Sequence, residues 1–360
     1  MTVKRVLMTA DTVGGVWTYA LDLARALAPH GVSVSLATMG RLPTPSQCAE
    51  AAAVPSLTLH LSEYALEWMP NPWDAVGRAG DWLLALEAEV SPDIVHLNGY
   101  AHGYLPWQSP TLIAGHSCVL SWWEAVHGQN APADWNRYRA EVTRGLQAAQ
   151  LVAAPTHAML SALEAHYGPF KETCVVPNGR DAALFTPGAG KEPFVFSAGR
   201  LWDDAKNIRA LAEIAPRLPW PICVAGDMTP PDGGEERRFD DVRLLGSLPP
   251  GQVADWMARA AIYALPAKYE PFGLSALEAG LSGCALVLSG IESLREVWGD
   301  AALFVPPDDR NALCAAIRRL AEDAQLRAEL AARALAQART YTLERMALGY
   351  LESYKRLLGD

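Results

Sequence analysis

The sequence has no excess of basic residues. Its 360 residues include 30 Lys and Arg against 40 Asp and Glu, which gives a formal net charge of −10 at pH 7. Proteins that bind nucleic acid usually carry a basic face that neutralises phosphates. A domain that docks on anionic lipid is expected to carry a similar patch. The charge balance therefore argues against nucleic acid as a partner and does not indicate strong membrane association.

Long apolar segments are also missing. The stretch from Ile94 to Trp123 contains no charged Asp, Glu, Lys or Arg, but prolines, glycines and Asn98 interrupt it, so it does not qualify as a transmembrane helix. Near the start, only a short apolar run precedes Asp11, which is too little for the core of a signal peptide. We therefore expect a cytoplasmic protein without a transmembrane segment.

Cysteine motifs for disulfides or metals are not present either. No C-x-x-C pair occurs, and no histidine stands at metal-binding spacing from a cysteine. The scattered cysteines are expected to be reduced and mostly buried thiols; they are Cys48, Cys118, Cys174, Cys223, Cys284 and Cys314.

The length and the apolar content favour two domains. A chain of 360 residues is long for a single core and suits two domains of about 180 residues each. Half of the residues are hydrophobic, so two full cores can form. Short apolar runs bounded by proline or glycine alternate with segments of helical periodicity, which predicts an α/β fold with buried parallel strands.

The most informative segment is YEPFGLSALEAG at positions 269–280. The apolar run Ala261–Leu265 before it is predicted to be a buried strand, so Glu270 falls in the loop at the carboxyl end of that strand. Leucines recur at helical spacing from residue 274, and Gly283 marks the end of the helix. Glu278 is therefore predicted to lie one turn inside a helix.

This placement of two carboxylates is typical of a site for a sugar nucleotide. Ligands of open α/β sheets bind at the carboxyl ends of the strands, where a helix N-terminus favours anionic groups such as phosphate. One carboxylate in the loop and one in the helix can accept hydrogen bonds from sugar hydroxyls and from ribose hydroxyls of the same ligand. Taken alone, Glu270 and Glu278 are equally consistent with an ordinary loop charge and an exposed helix residue.

The surrounding residues resemble the donor-site signature of the family 4 glycosyltransferases. These are retaining enzymes with the GT-B fold, and the resemblance is carried by Glu270, by Phe272-Gly273-Leu274 and by Glu278. It implies that Glu270 holds hydroxyls of the donor sugar and that Glu278 holds the ribose. It also implies that the backbone of Phe272-Gly273-Leu274 contacts the sugar and the phosphate.

The resemblance also implies a domain organisation of two facing Rossmann-like domains with a cleft between them. Asn178–Asp181 resembles the N-G-x-D segment of the family at the join between the domains. We expect an acceptor-binding domain over 1–180 and a donor-binding domain over 190–340. A last helix over 341–360 is expected to pack back on the first domain.

Two basic residues follow the strand predicted over Phe194–Ala198. Cationic side chains at a strand's carboxyl end can neutralise a diphosphate, and Arg can bind two oxygens at once. The segment resembles the G-R-x-x-x-x-K segment of the family, except that Lys206 lies one residue late, which makes Arg200 the firmer assignment. After a polar loop over 230–241, the segment Val242–Leu248 resembles the strand and loop whose backbone contacts the nucleobase in the family, and Leu245 is the candidate there.

The first half of the chain contributes three candidates. Gly14 and Gly15 follow the first predicted strand, where glycines let backbone amides approach a phosphate, although a turn without a ligand would also use them. The family has such a pair beside the donor diphosphate. His116 follows the strand predicted at Thr111–Ala114, and the resemblance implies that it faces the donor sugar.

The sequence thus predicts a retaining glycosyltransferase that moves a sugar from a nucleotide-diphosphate sugar to an unidentified hydroxyl acceptor. No D-x-D motif occurs, so no metal or other cofactor is expected. Two alternatives stay open: an enzyme resembling UDP-sugar 2-epimerases, and a non-catalytic protein that binds sugar nucleotides. The catalytic candidates are His116, Arg200, Lys206 and Glu270. The donor-binding candidates are Gly14, Gly15, Arg200, Lys206, Leu245, Glu270, Phe272, Gly273, Leu274 and Glu278.

Overall fold

The computed structural model describes residues 3–230 and 238–359. The chain divides into two compact units. The first comprises Met1–Glu124, Gln129–Gly179 and Leu343–Asp360, and the second comprises Ala125–Gly128 and Arg180–Thr342. The polar loop predicted over 230–241 includes 231–237, which lie outside the described residues.

The strands of the described residues are short and mostly apolar. In chain order they are β1 (Arg5–Asp11), β2 (Ser33–Met39), β3 (Leu57–Leu61), β4 (Ile94–Leu97), β5 (Thr111–Ala114), β6 (Leu151–Ala154), β7 (Thr173–Val175), β8 (Glu192–Ala198), β9 (Ile222–Ala225), β10 (Arg243–Leu244), β11 (Ala260–Leu265), β12 (Ala285–Ser289) and β13 (Leu303–Val305).

The helices alternate with these strands, apart from short 3-10 turns. They are α1 (Gly15–Leu27), α2 (Pro45–Ala52), α3 (Trp73–Val90), α4 (Val119–His127), α5 (Asn136–Ala148), α6 (His157–Tyr167), α7 (Ile208–Ile214), α8 (Pro250–Arg259), α9 (Leu274–Leu281), α10 (Glu292–Trp298), α11 (Arg310–Glu322), α12 (Ala324–Ala338) and α13 (Leu343–Leu357). Among the described residues, none of these helices has the length and apolarity needed to cross a bilayer.

The first unit is built on a parallel sheet with the strand order β3-β2-β1-β4-β5-β6-β7. All residues of β4, β5 and β6 are buried. Strands covered on both faces need apolar side chains in succession, because neither face meets water. The strand order reverses between β1 and β4, so the loops after these two strands diverge at one edge.

The second unit repeats this pattern with the order β10-β9-β8-β11-β12-β13, again parallel throughout. Strand β11 is buried along its whole length. The chain reverses direction across the sheet between β8 and β11, which are hydrogen-bonded neighbours. The prediction of an α/β fold with two domains built on parallel sheets is therefore confirmed.

Helix α13 packs on the first unit, as predicted. It lies against α1, and its residues Met346, Ala347, Tyr350 and Tyr354 are buried in the same core as Tyr19 of α1. Gly349 sits against Val176, where a side chain of any size would clash because a Cβ would lie 2.9 Å from a Val176 methyl carbon. Aromatic rings and close backbone approach thus hold the end of the chain to the first sheet.

The segment Val242–Leu248 forms a short strand followed by a loop, as its resemblance implies. Strand β10 covers Arg243–Leu244 and lies at the edge of the second sheet beside β9. Just beyond it, the Leu245 N–H donates to the Val224 carbonyl, and the Gly246 carbonyl accepts the Gly226 N–H. The Leu245 and Leu248 side chains pack against the core.

Candidate active site

The donor-site candidates of the second unit converge on the carboxyl ends of β8 and β11. The loop after β8 carries Arg200 and Lys206, and the loop after β11 carries Glu270. Since β8 and β11 are neighbours, their outgoing loops emerge side by side. An open α/β sheet binds ligands at such a point, where the strand order reverses.

Lys206 and Glu270 form a half-buried ion pair. The Nζ atom of Lys206 lies 2.6 Å from Oε2 of Glu270, and the two side chains are only 15% and 12% exposed. The Ser293 hydroxyl donates a hydrogen bond of 2.6 Å to the Glu270 carbonyl and so fixes the loop. The pair thus places an ammonium group and a carboxylate together at the end of β11.

The extra residue before Lys206 is accommodated by a 3-10 turn over Asp204–Lys206. The Asp203 carboxylate caps this turn by accepting the Ala205 N–H at 3.0 Å. Asn207 ends it with φ +54°, and its side-chain amide donates to the carbonyl of Pro266, which directly follows β11. The turn therefore brings Lys206 to Glu270 despite the longer spacing.

Arg200 is held by its own loop. One guanidinium nitrogen donates to Oδ2 of Asp203 at 2.8 Å, and the group lies 5.4 Å from the centre of the Trp202 ring. The Arg200 side chain is 39% exposed, whereas Asp203 is buried. Arg200 is thus presented to solvent at the same strand end, while Lys206 points to the signature segment.

The signature segment turns into α9 through Gly273. This residue has φ +92° and ψ +60°, a left-handed conformation that favours glycine. A Cβ here would also lie 3.1 Å from a methyl carbon of Leu294. The turn aims the first N–H groups of α9, beginning at Leu274, toward the strand edge, where they favour an anion.

The apolar side chains of the signature belong to the core. Phe272 is 3% exposed, and its ring meets Tyr341 edge-on at 5.4 Å between centroids. Leu274 and Leu245 are half-buried against the same core. The Leu245 N–H donates to the Val224 carbonyl at 2.9 Å just beyond β10. These residues can therefore contact a ligand mainly through the backbone, as the resemblance implies.

Glu278 lies on α9 and forms a second, more buried ion pair. Its Oε1 atom is 2.9 Å from Nε of Arg180, and the side chains are 15% and 8% exposed. Beneath the two glutamates lies Tyr263 of β11, which is completely buried and donates to the Ala198 carbonyl. Burial above all, with the charges of Glu278 and Glu270, raises the pKa of Tyr263, so the phenol stays neutral.

In the first unit, His116 follows β5 and is held in one tautomer. The Asn98 side-chain amide donates to the Thr9 carbonyl at 2.7 Å, so its oxygen is the atom that faces Nε2 of His116 at 2.8 Å. Nε2 therefore carries the proton, and Nδ1 is the acceptor nitrogen of the ring. Burial lowers the pKa of His116 to about 4, so the ring is neutral at physiological pH.

Gly14 and Gly15 lie at the start of α1, after β1. Gly14 has φ −163°, an extended conformation that any residue can adopt, and its carbonyl accepts the Trp17 N–H. The backbone conformation of Gly14 therefore does not require glycine. Close approach of a ligand to the backbone remains the reason that the sequence predicts for this residue.

A buried imidazole, that of His96, connects α1 with α13 in the first unit. His96 is completely buried, with Nδ1 2.7 Å from the Tyr354 hydroxyl and Nε2 3.3 Å from the Tyr19 hydroxyl. The Tyr19 ring also meets His116 edge-on at 4.3 Å. Burial, aided by the nearby His116, lowers the pKa of His96 to about 3. Sequence patterns predicted His96 only as part of a strand.

Glu67 is a half-buried titratable group at this edge, and sequence patterns did not indicate it. Its carboxylate accepts the backbone N–H groups of Tyr100 and Ala101, at 3.1 and 2.7 Å, in the loop after β4. Burial raises the pKa of Glu67 to about 7, although these two hydrogen bonds act in the opposite direction. The carboxylate thus fixes the loop that follows β4.

These shifts predict how stability depends on pH. An unfolded histidine titrates near 6.5, so between that pH and the folded value of about 3 the unfolded chain binds a proton at His96 that the folded chain does not. Stability therefore falls as the pH decreases below 6.5. We expect His96→Asn to reduce this loss by about 1 kcal/mol per pH unit between pH 6 and 5, measured by urea unfolding.

Glu67 supplies a comparison of opposite sign. Its folded pKa of about 7 lies above the ordinary glutamate value, so the folded chain binds the extra proton and acid stabilises the fold at this group. Glu67→Gln should therefore steepen the acid-induced loss of stability, whereas His96→Asn makes it shallower. Curves for both variants that run parallel to the wild type would contradict the assignment.

The described residues contain no cluster of side chains suited to a metal ion. Within residues 3–230 and 238–359, no group of three or more His, Cys, Asp or Glu side chains is arranged to hold a metal ion. The free cysteines likewise form no pair in this part of the chain and are buried or half-buried.

Two family models match this chain, one over each half. The model described as Glycosyltransferase Family 4 matches residues 13–184, and the one described as Glycosyl transferases group 1 matches residues 192–323. The second match contains Arg200, Lys206, Glu270 and Glu278. The chain belongs to the group 1, family 4 glycosyltransferases. The resemblance carried by the signature segment is thereby confirmed.

Relatives of this glycosyltransferase include transferases named for different substrates. The chain is 27% identical over 402 aligned positions to D-inositol 3-phosphate glycosyltransferase of Kineococcus radiotolerans. This alignment covers 96% of the chain and 91% of the relative. The chain is 37% identical over 116 positions to O-antigen chain mannosyltransferase B of Escherichia coli, but that alignment covers only 32% of this chain and 30% of the relative.

Solved structures share the fold of this glycosyltransferase. Sucrose-phosphate synthase from Thermosynechococcus elongatus has a TM-score of 0.83 at 22% identity and covers 99% of each chain. Anabaena HepE in complex with UDP-glucose has a TM-score of 0.76 at 17% identity and covers 98% of this chain and 99% of HepE. At such identities the likeness shows the GT-B fold alone.

Several residues of this glycosyltransferase's site escaped the sequence analysis. Arg180 pairs with Glu278, Asp203 holds Arg200, and Asn207 anchors the turn that carries Lys206. A signal for Arg180 was available, because a basic residue occupies the variable position of the N-G-x-D segment. The roles of Asp203 and Asn207 depend on loop geometry that periodicity does not reveal.

Proposed function

We propose that this glycosyltransferase transfers a sugar from a nucleotide-diphosphate sugar to a hydroxyl acceptor, with retention of the anomeric configuration and without a metal ion. The observation that carries the proposal is the Lys206–Glu270 pair beside the N-terminus of α9, at the switch point of the second sheet. Lys206, Arg200 and the amides of α9 supply positive charge for a diphosphate. Glu270 supplies a hydrogen-bond acceptor for sugar hydroxyls.

In the reaction, the bond between the anomeric carbon and the diphosphate oxygen breaks, and its electron pair stays on the diphosphate. The acceptor oxygen forms its bond to the anomeric carbon on the same face, and the leaving phosphate oxygen takes the acceptor proton. Positive groups fixed in advance at the leaving diphosphate stabilise this charge as it develops. Lys206 and the N-terminus of α9 are positioned for that role on the second unit.

The remaining candidates keep the roles that the family resemblance implies. Glu278 accepts hydrogen bonds from the donor ribose, and Leu245 presents its backbone to the base. The first unit provides the acceptor domain, with neutral His116 at the carboxyl edge of its sheet, and Gly14 and Gly15 present backbone amides after β1. HepE was solved with UDP-glucose, which makes UDP-sugars the first donors to test.

A thermal-shift screen tests the proposal directly. UDP, GDP, ADP and their common sugar conjugates are added to the protein with and without EDTA, because a ligand that binds the folded state raises its melting temperature. We expect one base to stabilise the protein equally well in EDTA. Proton NMR of slow donor hydrolysis should then show release of the sugar with its anomeric configuration retained, before mutarotation.

Other outcomes separate the alternatives. Stabilisation that disappears in EDTA would contradict metal independence. A donor whose sugar is converted to its 2-epimer would favour an epimerase. Binding without any turnover, including hydrolysis, would favour a non-catalytic sugar-nucleotide-binding protein.

A further inference from the structure

Arg180 occupies the variable position of the N-G-x-D segment and is one of the few charged side chains that is largely buried. It is 8% exposed, and its Nε lies 2.9 Å from Oε1 of Glu278. A buried arginine left without a partner would be strongly destabilising, and so would a buried carboxylate. Each residue therefore needs the other as its partner.

Arg180 is also held through both its side chain and its backbone. Its guanidinium lies 5.0 Å from the centre of the Phe185 ring, and its backbone N–H donates to the Tyr341 carbonyl at 3.1 Å. The Tyr341 ring in turn packs edge-on against Phe272 of the signature segment. A side chain held in this way cannot follow Glu278 if that residue moves. It instead sets where the Glu278 carboxylate lies.

We propose that Arg180 is a positioning residue that orients the Glu278 carboxylate toward the ribose of a nucleoside diphosphate and thereby sets the preference for ribose over 2′-deoxyribose. This inference rests on the proposed function, because it deepens the role of Glu278 in the donor site. Arginine stays protonated at all relevant pH values and carries only donors, so it is a permanent cationic partner for the Glu278 carboxylate. An ionised carboxylate only accepts hydrogen bonds, which suits two neighbouring hydroxyl donors.

The Glu278 carboxylate can contact Arg180 and ligand hydroxyls at the same time. Oε1 is the atom nearest Arg180, and a carboxylate offers further lone pairs on both oxygens for hydroxyl groups. Glu278 lies just past the first turn of α9, close to the helix N-terminus that is proposed to bind the diphosphate. A ribose joined to that diphosphate would therefore lie within reach of an oriented Glu278.

The test compares the dissociation constants of the preferred nucleoside diphosphate and its 2′-deoxy analogue. We expect the wild type to bind the ribose form about tenfold or more tightly, because a hydrogen bond to a charged group is lost with the hydroxyl. In Arg180→Met this ratio should fall toward one, mainly through weaker binding of the ribose form. Arg180→Lys should retain part of it, since the charge remains.

Three further variants separate positioning from folding. Arg180→Met with Glu278→Gln removes both charges, and its ratio should equal that of Glu278→Gln alone if Arg180 acts only through Glu278. Arg259→Met is the matched control, because Arg259 also pairs with a glutamate, Glu192, and lies over aromatic rings in the same unit. Its ratio should equal that of the wild type.

Kinetics provide a second readout. When donor hydrolysis is measured, Arg180→Met should raise KM more than it lowers kcat, since the ribose is held alike in the ground and transition states. If Arg180→Met keeps the wild-type ratio of dissociation constants for the ribose and 2′-deoxyribose ligands, this inference is overturned and the proposed function still stands. A wild type that binds no nucleoside diphosphate would overturn both.

Discussion

Replacing Lys206 with alanine is expected to lower kcat for donor turnover by about 100-fold or more, the loss typical of removing one group that stabilises developing charge. The Lys206 ammonium lies 2.6 Å from Glu270 and beside the N-terminus of α9, where the proposed diphosphate leaves. Its loss removes positive charge from the leaving group in the transition state. The measurement is the initial rate of donor hydrolysis, or of transfer once an acceptor is known.

Loss of stability must be separated from loss of catalysis in this variant. Lys206→Ala leaves the Glu270 carboxylate half-buried without its cation, which is itself destabilising. Adding Glu270→Gln removes that charge and should recover stability without recovering activity. Lys268→Ala is the matched control, because Lys268 lies in the loop after β11, which also carries Glu270, but pairs with Asp308, which is 73% exposed. Activity that returns in the double variant would contradict the proposed role of Lys206.

Gly226→Ala is expected to be the most destabilising of the glycine substitutions near the second site. Gly226 has φ +147°, and a Cβ there would lie only 1.7 Å from the Gly199 carbonyl oxygen. Because the obstacle is backbone and not the tip of a side chain, strain and overpacking together should cost about 3 kcal/mol or more. Urea unfolding measures the loss, and donor binding should weaken as well because Gly199 directly precedes Arg200.

Gly251→Ala supplies a control of opposite sign. Gly251 lies in the first turn of α8, and a Cβ there would meet nothing within 4 Å. Alanine has the higher helix propensity, so this change should stabilise the protein by up to about 1 kcal/mol. If Gly226→Ala were as stable as the wild type, the close approach of the two loops at the ends of β8 and β9 would not be needed for folding.

The elements that carry the second site were largely predictable from sequence. The predicted strand Ala261–Leu265 differs from β11 by one residue, and the predicted helix start at Leu274 coincides with α9. Both signals are local, because continuous apolar runs identify strands buried on two faces and helical spacing identifies an amphipathic turn. By contrast, α4, α5 and α6 were not predicted, since their apolar periodicity is mixed with tryptophans and charged residues.

The spacing of the basic segment shows where local reasoning stopped. The sequence made Arg200 the firmer assignment because Lys206 lies one residue late. In the structure the 3-10 turn over Asp204–Lys206 takes up the extra residue, and Lys206 is the one that reaches Glu270. The capping hydrogen bond that the Ala205 N–H donates to Asp203 and the hydrogen bond from Asn207 to the Pro266 carbonyl determine this outcome. Such contacts depend on the neighbouring strand and cannot be read from spacing.

The sequence by itself determined the fold class, the family and the residue types available for a sugar-nucleotide site, because these depend on periodicity and on a short contiguous signature. The tertiary structure decided which of these side chains are paired. The pairs Lys206–Glu270 and Arg180–Glu278 join residues 64 and 98 positions apart in sequence. The protonation of His96, His116 and Glu67 was also decided there, because burial and hydrogen-bond partners, not sequence neighbours, set their pKa values.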